Sequence, residues 1–322
     1  LEAIVINNLT KVYRDGKKAL DNLSMTVQEG EIFTLLGQNG AGKSTLINIL
    51  TTYLTPTSGS VKVFGKDLCQ EPAFVRKQIA CVAQKNSIDN HLSLMENMLF
   101  QSRLYKLDKT TAAKRIAELI NSFGLKEFAD HRVFTYSGGI KRRLDIAMSM
   151  VSHPKILFLD EPTVALDIES RKAVWEIVEK IRKDYGTTVF MTTHYLEEAE
   201  SLSDTICILK DGHELVQDTP ENLRKYTRQN LIQVILKAPA DTKSLELLLS
   251  RQPFVLSIHS KDSTVTVAVK DKEHDLLSLN KLLIDNSAPY HAIGIIEPSL
   301  ENVFLTLTQR GLNSGNNQYF LA

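Results

Sequence analysis

Nine consecutive residues, Gly37-Gln38-Asn39-Gly40-Ala41-Gly42-Lys43-Ser44-Thr45, leave this chain few choices of fold. An apolar run with strand character, Ile32 to Leu36, precedes them, and a run with helical spacing, Leu46 to Leu50, follows. Strand, G-x-x-x-x-G-K-[ST] loop and helix in that order make a phosphate cradle. The glycines let backbone N–H groups curl around an anion, and the helix adds the positive end of its dipole. Lys43 has the reach for β- and γ-phosphates, and the Ser44 hydroxyl suits Mg²⁺.

A second half-site is expected at Lys155-Ile156-Leu157-Phe158-Leu159-Asp160-Glu161-Pro162, an apolar strand that ends in two carboxylates. Alone, such an end reads as a solvated strand terminus. Beside a phosphate loop, Asp160 reads as a metal partner and Glu161 as the group that orients or deprotonates an attacking water. Between the halves lies Tyr136-Ser137-Gly138-Gly139-Ile140-Lys141-Arg142-Arg143, which runs into an amphipathic helix with Leu144, Ala147, Met148 and Val151 on one side. Ser137 is placed to cap that helix, and the two glycines leave N–H groups open to an anion.

With 322 residues the chain has room for two domains of roughly 150. Lys plus Arg and Asp plus Glu are equal at 38, so no global charge favours nucleic acid. No apolar run approaches the roughly 18 residues of a membrane span, so this chain is not expected to cross a bilayer by itself. Cys69, Cys81 and Cys207 are too few and too scattered for a disulfide framework or a zinc site, which fits a reducing compartment. Residues 3–225 alternate β-rich and helical runs, with mostly helical patterning over about 90–152. From 228 to 310 the pattern becomes βαββαβ plus one helix, the order of a ferredoxin-like unit. The polar tail 311–322 is expected to be mobile.

The ordered motifs over residues 4–225 resemble the nucleotide-binding subunit of an ATP-binding cassette (ABC) transporter. That resemblance implies an α/β P-loop NTPase core with an inserted helical subdomain, followed by the small α+β domain. It implies ATP and Mg²⁺ as ligands. Tyr13, Gly37, Asn39, Gly40, Ala41, Gly42, Lys43, Ser44, Thr45 and Gln84 would bind ATP in cis, and Ser137, Gly138, Gly139 and Asp167 would act in trans across a dimer. Tyr13 would stack on adenine. Ser44, Gln84 and Asp160 would serve the metal, and Glu161, His194 and Lys43 would be catalytic.

The resemblance further implies a homodimer or heterodimer, and a separate membrane-spanning permease that docks near residues 85–105. The chain would then sit on the cytoplasmic face of the membrane, with no nucleic acid as partner. The variant Tyr136 and Ile140 in the signature, and the stretch Glu297 to Phe304, are similar to daunorubicin-type drug-resistance ATPases. Export of a drug-like substrate is the leading expectation, with ion, lipid or polysaccharide export, or a soluble ATPase acting on nucleic acid or the ribosome, as alternatives. Ala165 departs from that subgroup, which usually has Gly there.

Overall fold

The computed structural model describes residues 1–129, 131–226, 230–296 and 299–310. The expected mobile tail, 311–322, lies outside the described residues, as do Glu297 and Pro298. The chain divides into two compact units, Leu1–Pro220 and Glu221–Ala322. The division falls at the start of the helix Pro220–Tyr226, whereas the sequence reading put it after that segment.

The first unit is built on a six-stranded sheet ordered His213–Asp218, Thr205–Lys210, Ile32–Leu36, Thr188–Thr193, Ile156–Asp160 and Ile79–Val82. All pairs are parallel except the first, which is an antiparallel edge. Its central strands are buried on both faces, and for that reason they read in sequence as unbroken apolar runs. Phe33, Phe158 and Phe190 project to one face, where Phe33 stacks on Phe190 with ring centroids 5.1 Å apart and Phe158 packs against Phe190 at a tilt, 5.4 Å away. There they join the helix Lys43–Leu50 and an antiparallel sheet of Glu2–Val12, Lys18–Gln28, Ser58–Val63 and Lys66–Asp67. Leu157, Leu159, Val189 and Met191 project to the other face, onto the helical part of the unit.

That helical part comprises Leu94–Leu104, Lys109–Ser122 and Gly138–Met150. Each helix has a side-chain N-cap: Ser93, in a reciprocal box with Glu96, then Asp108 and Ser137. It is inserted between Ile79–Val82 and Ile156–Asp160, which pair with each other in parallel, and it shares a continuous apolar core with the helix Ile168–Tyr185.

The second unit has strands Asn230–Leu236, Val255–Lys261, Thr264–Val269 and Tyr290–Ile296, with helices Thr242–Leu249 and Lys272–Asp285 between them and Leu300–Arg310 after them. The first strand pairs with the third and fourth, and the third with the second, the strand order of a ferredoxin-like sheet. Ile232, Val234, Leu236, Val265, Val267 and Val269 face Leu245, Leu249, Leu279 and Leu283 of the two helices in one core.

Candidate active site

Four adjacent parallel strands each deliver one motif at their carboxyl ends. Ile32–Leu36 leads into the Gly37–Thr45 loop, Thr188–Thr193 into His194, Ile156–Asp160 into Glu161, and Ile79–Val82 into Gln84. Open parallel sheets bind ligands at this edge. A cleft of about 550 Å³ opens there, lined among others by Tyr13, Lys43, Ser44, Gln84, Glu161 and His194.

The loop geometry follows from its glycines. Gly42 has φ +110°, and a Cβ there would lie 2.5 Å from the Ala19 carbonyl oxygen. Gly40, at φ +87°, also occupies the region that L side chains avoid. Lys43 is 5% exposed and donates from Nζ to the carbonyls of Gly37 at 2.7 Å and Gln38 at 3.3 Å. The Tyr13 hydroxyl lies 3.1 Å from Thr45 Oγ1, and the ring stays partly exposed at the mouth of the cleft.

Glu161 is where these groups meet. Its Oε1 lies 3.3 Å from Lys43 Nζ and 3.3 Å from His194 Nδ1, and its Oε2 accepts from Gln84 Nε2 at 3.4 Å. Its backbone is left-handed, at φ +47°, a conformation that costs an ordinary side chain on the order of 1–2 kcal/mol. Thr192 secures it: the Glu161 N–H donates to Thr192 O at 3.1 Å and to Oγ1 at 3.0 Å, and Thr192 Oγ1 donates to Asp160 Oδ1 at 2.6 Å.

The residues present suit a phosphate-bound magnesium ion. No cluster of three His, Cys, Asp or Glu side chains suited to a metal exists among the described residues, so no all-protein cage is present. Mg²⁺ usually takes one or two carboxylates, water and substrate phosphates. Of the three residues expected to serve it, Ser44 and Gln84 line the cleft, whereas Asp160 lies behind the lining with its Oδ1 accepting from Thr192 Oγ1. His194 Nδ1 is buried, with Glu161 Oε1 at 3.3 Å and no hydrogen bond of good geometry.

Ser137, Gly138, Gly139 and Asp167 do not line the cleft. Ser137 and Asp167 each cap a helix, by Ile140 N–H at 3.4 Å and Ser170 N–H at 2.8 Å. These two helix starts meet: a Cβ on Gly139 would lie 2.3 Å from Ser170 Oγ. The hydrogen bonds from Ser170 hold the Asp167 carboxyl below its ordinary pKa.

Sequence reasoning missed Arg142, Asp145 and Thr192. Arg142, 4% exposed, donates from Nε to Pro162 O at 2.9 Å, from Nη1 to Ala83 O at 2.7 Å and from Nη2 to Asp160 O at 3.1 Å. Asp145, 1% exposed, lies 3.7 Å from Arg142 and accepts from Ser87 Oγ at 2.5 Å. Burial pushes the Asp145 carboxyl up, against the lowering by Ser87 and Arg142. A signal existed: Arg142, Asp145 and Ser149 form a polar row at i, i+3, i+7 on a helix whose other residues are mostly apolar.

The ABC transporter family profile matches residues 20–164. The doxorubicin resistance ATP-binding protein DrrA of Mycobacterium tuberculosis is 36% identical over 313 residues, covering 95% of this chain and 93% of that protein. The daunorubicin/doxorubicin resistance ATP-binding protein DrrA of Streptomyces peucetius is 39% identical over 306 residues, covering 95% and 92%. Among solved structures, the dimeric post-hydrolysis state of the ATP-binding cassette MJ0796 bound to ADP and Pi aligns with a TM-score of 0.60 at 29% identity, covering 67% of this chain and 98% of that one. Motifs at four neighbouring strand ends and relatives that match along nearly the whole length lead to one conclusion: the chain belongs to the ABC transporter family, as an ATP-hydrolysing nucleotide-binding subunit.

Proposed function

We propose that this subunit hydrolyses MgATP in a dimer and thereby drives export of an amphipathic, drug-like molecule through a separate membrane protein. The convergence of Lys43, Gln84 and His194 on one carboxylate, Glu161, carries this reading. A γ-phosphate competes with Glu161 for Lys43 and His194, which leaves the carboxylate to accept the proton of an attacking water. Lys43 and the loop N–H groups then hold the charge that develops on the phosphoryl oxygens, and His194 orients them. Ser44, Gln84 and Asp160 would hold Mg²⁺, which would supply further neutralisation of the phosphate charge. Tyr13 stacks on the base.

Ser137, Gly138, Gly139 and Asp167, which stand outside this cleft, act on the nucleotide of a second protomer. A related cassette solved as a dimer with ADP and Pi supports a dimeric state. No helix among the described residues is long and apolar enough to cross a membrane, so the substrate path is assigned to a partner. The proposed docking surface is the stretch 85–105, where Met95, Phe100, Leu104 and Tyr105 are exposed. The doxorubicin and daunorubicin resistance relatives support the substrate class. The second unit serves dimer stability or regulation, and the chain sits at the cytoplasmic face.

Glu161→Gln tests the chemistry. It keeps ATP binding by titration calorimetry, accumulates an ATP-bound dimer by gel filtration, and lowers turnover by at least about 100-fold. Turnover within a few-fold of wild type would remove Glu161 from the mechanism.

A further inference from the structure

We propose that Arg142 is a positioning residue that sets Gln84 and Glu161 against each other. Two of its three acceptors, the carbonyls of Asp160 and Pro162, flank Glu161. The third, the carbonyl of Ala83, belongs to the peptide that leads into Gln84. One planar guanidinium thus fixes the peptide units around the two side chains that meet at 3.4 Å in the cleft. Asp145, one turn further along the same helix, completes the hold. Its Oδ1 accepts from Ser87 Oγ at 2.5 Å and Ser87 N at 3.4 Å, so the loop is tied both before and after Gln84.

Two arguments favour positioning over plain stabilisation. A pair as buried as Arg142 and Asp145 gains little net stability, because desolvation opposes the attraction. Glu161, moreover, holds a left-handed backbone that persists only where neighbours over-determine it. Arg142 adds to the hold of Thr192: it takes the Asp160 carbonyl of the peptide whose N–H Thr192 binds, and the Pro162 carbonyl beyond Glu161. Lysine cannot replace it, since a single Nζ has no fork to span three carbonyls. The signature helix is thereby tied to the catalytic carboxylate within one protomer.

This inference rests on reading Glu161 as the group that activates water. Arg142→Lys is measured for steady-state ATP hydrolysis, for binding of a fluorescent ATP analogue and for the unfolding midpoint, in wild-type and Glu161→Gln backgrounds. The expected result is a kcat lower by roughly 10–100-fold with analogue affinity within about twofold. In the Glu161→Gln background the same substitution changes residual hydrolysis by less than about twofold, because the group it positions is gone. An equal fold-loss in both backgrounds, or a matching loss of nucleotide affinity, overturns the positioning role. If Glu161→Gln alone leaves turnover unchanged, the reading of Glu161 fails first and this inference falls with it.

Should Arg142→Lys fail to fold, Ser87→Ala, at an exposed loop residue, probes the same hold. It lowers kcat by about threefold in wild type and has no effect beyond about 1.5-fold when Gln84 is already Ala. Equal losses with and without Gln84 overturn the proposal.

Discussion

Replacing Gly139 with Ala places a methyl group where Ser170 already stands. The new Cβ would lie 2.3 Å from Ser170 Oγ, 2.6 Å from Ser170 Cβ and 3.5 Å from Ser170 Cα, so the helices Gly138–Met150 and Ile168–Tyr185 must separate. Overpacking of this kind costs about 1–3 kcal/mol, and the better helix propensity of Ala returns about 0.5–1 kcal/mol. The net expectation is a destabilisation of about 1–2 kcal/mol, or a fall of about 2–8 °C in Tm for a unit of this size. The protein's single tryptophan, Trp175, lies on the second of these helices and donates to buried Glu198 Oε1 at 3.1 Å, so its fluorescence follows this unit's unfolding. The geometry also fixes which second change rescues. Ser170→Ala leaves the Cβ at 2.6 Å and should restore nothing, whereas Ser170→Gly leaves only the Cα at 3.5 Å. In the Ser170→Gly background, Gly139→Ala should therefore be nearly neutral. A wild-type melt for Gly139→Ala, or equal rescue by Ser170→Ala and Ser170→Gly, refutes the steric reasoning.

Ala165 has φ +61°, so Ala165→Gly should raise stability by up to about 1 kcal/mol; an unchanged denaturant midpoint would show that the loop is not held left-handed. Burial, with the Asp160 charge as a smaller cause, pushes the Cys81 thiol up to about 11. Although Cys81 lies on the surface of an edge strand, it should react with iodoacetamide at pH 8 about 100-fold more slowly than an unperturbed thiol, and about tenfold faster for each pH unit up to about 11. A plateau near pH 8.5, followed by mass spectrometry, would contradict that shift.

The legible parts of this molecule are those whose chemistry is carried by side chains or glycines in one short segment. The Gly37–Thr45 loop announces itself because its function resides in backbone freedom that only glycine supplies. The second unit was equally open, since Ile232, Val234 and Leu236 alternate as simply as Val265, Val267 and Val269. The strand Lys18–Gln28 was not. Leu20 and Leu23 are both buried at a helix-like spacing, because Asn22 at φ +53° interrupts the alternation there. The partners of Arg142 were beyond reach for another reason: they are backbone carbonyls, and a carbonyl has no letter. Nor does the left-handed turn at Glu161 leave a trace in sequence, because glycine, which would betray it, cannot supply the carboxylate.

The strand that opens the phosphate loop has a further consequence during synthesis. Ile32–Leu36 bonds neither to the strand before it nor to the one after it; its partners, Thr188–Thr193 and Thr205–Lys210, leave the ribosome last among the strands of the catalytic parallel array. At roughly 5–20 residues per second, the nascent chain carries an intact loop for many seconds before the neighbours of its strand in the parallel sheet exist. Over that interval the emerging polypeptide owns the signature of a nucleotide site without the site. A fragment that stops short of Thr188 should emerge with every residue of the loop and no grip on ATP.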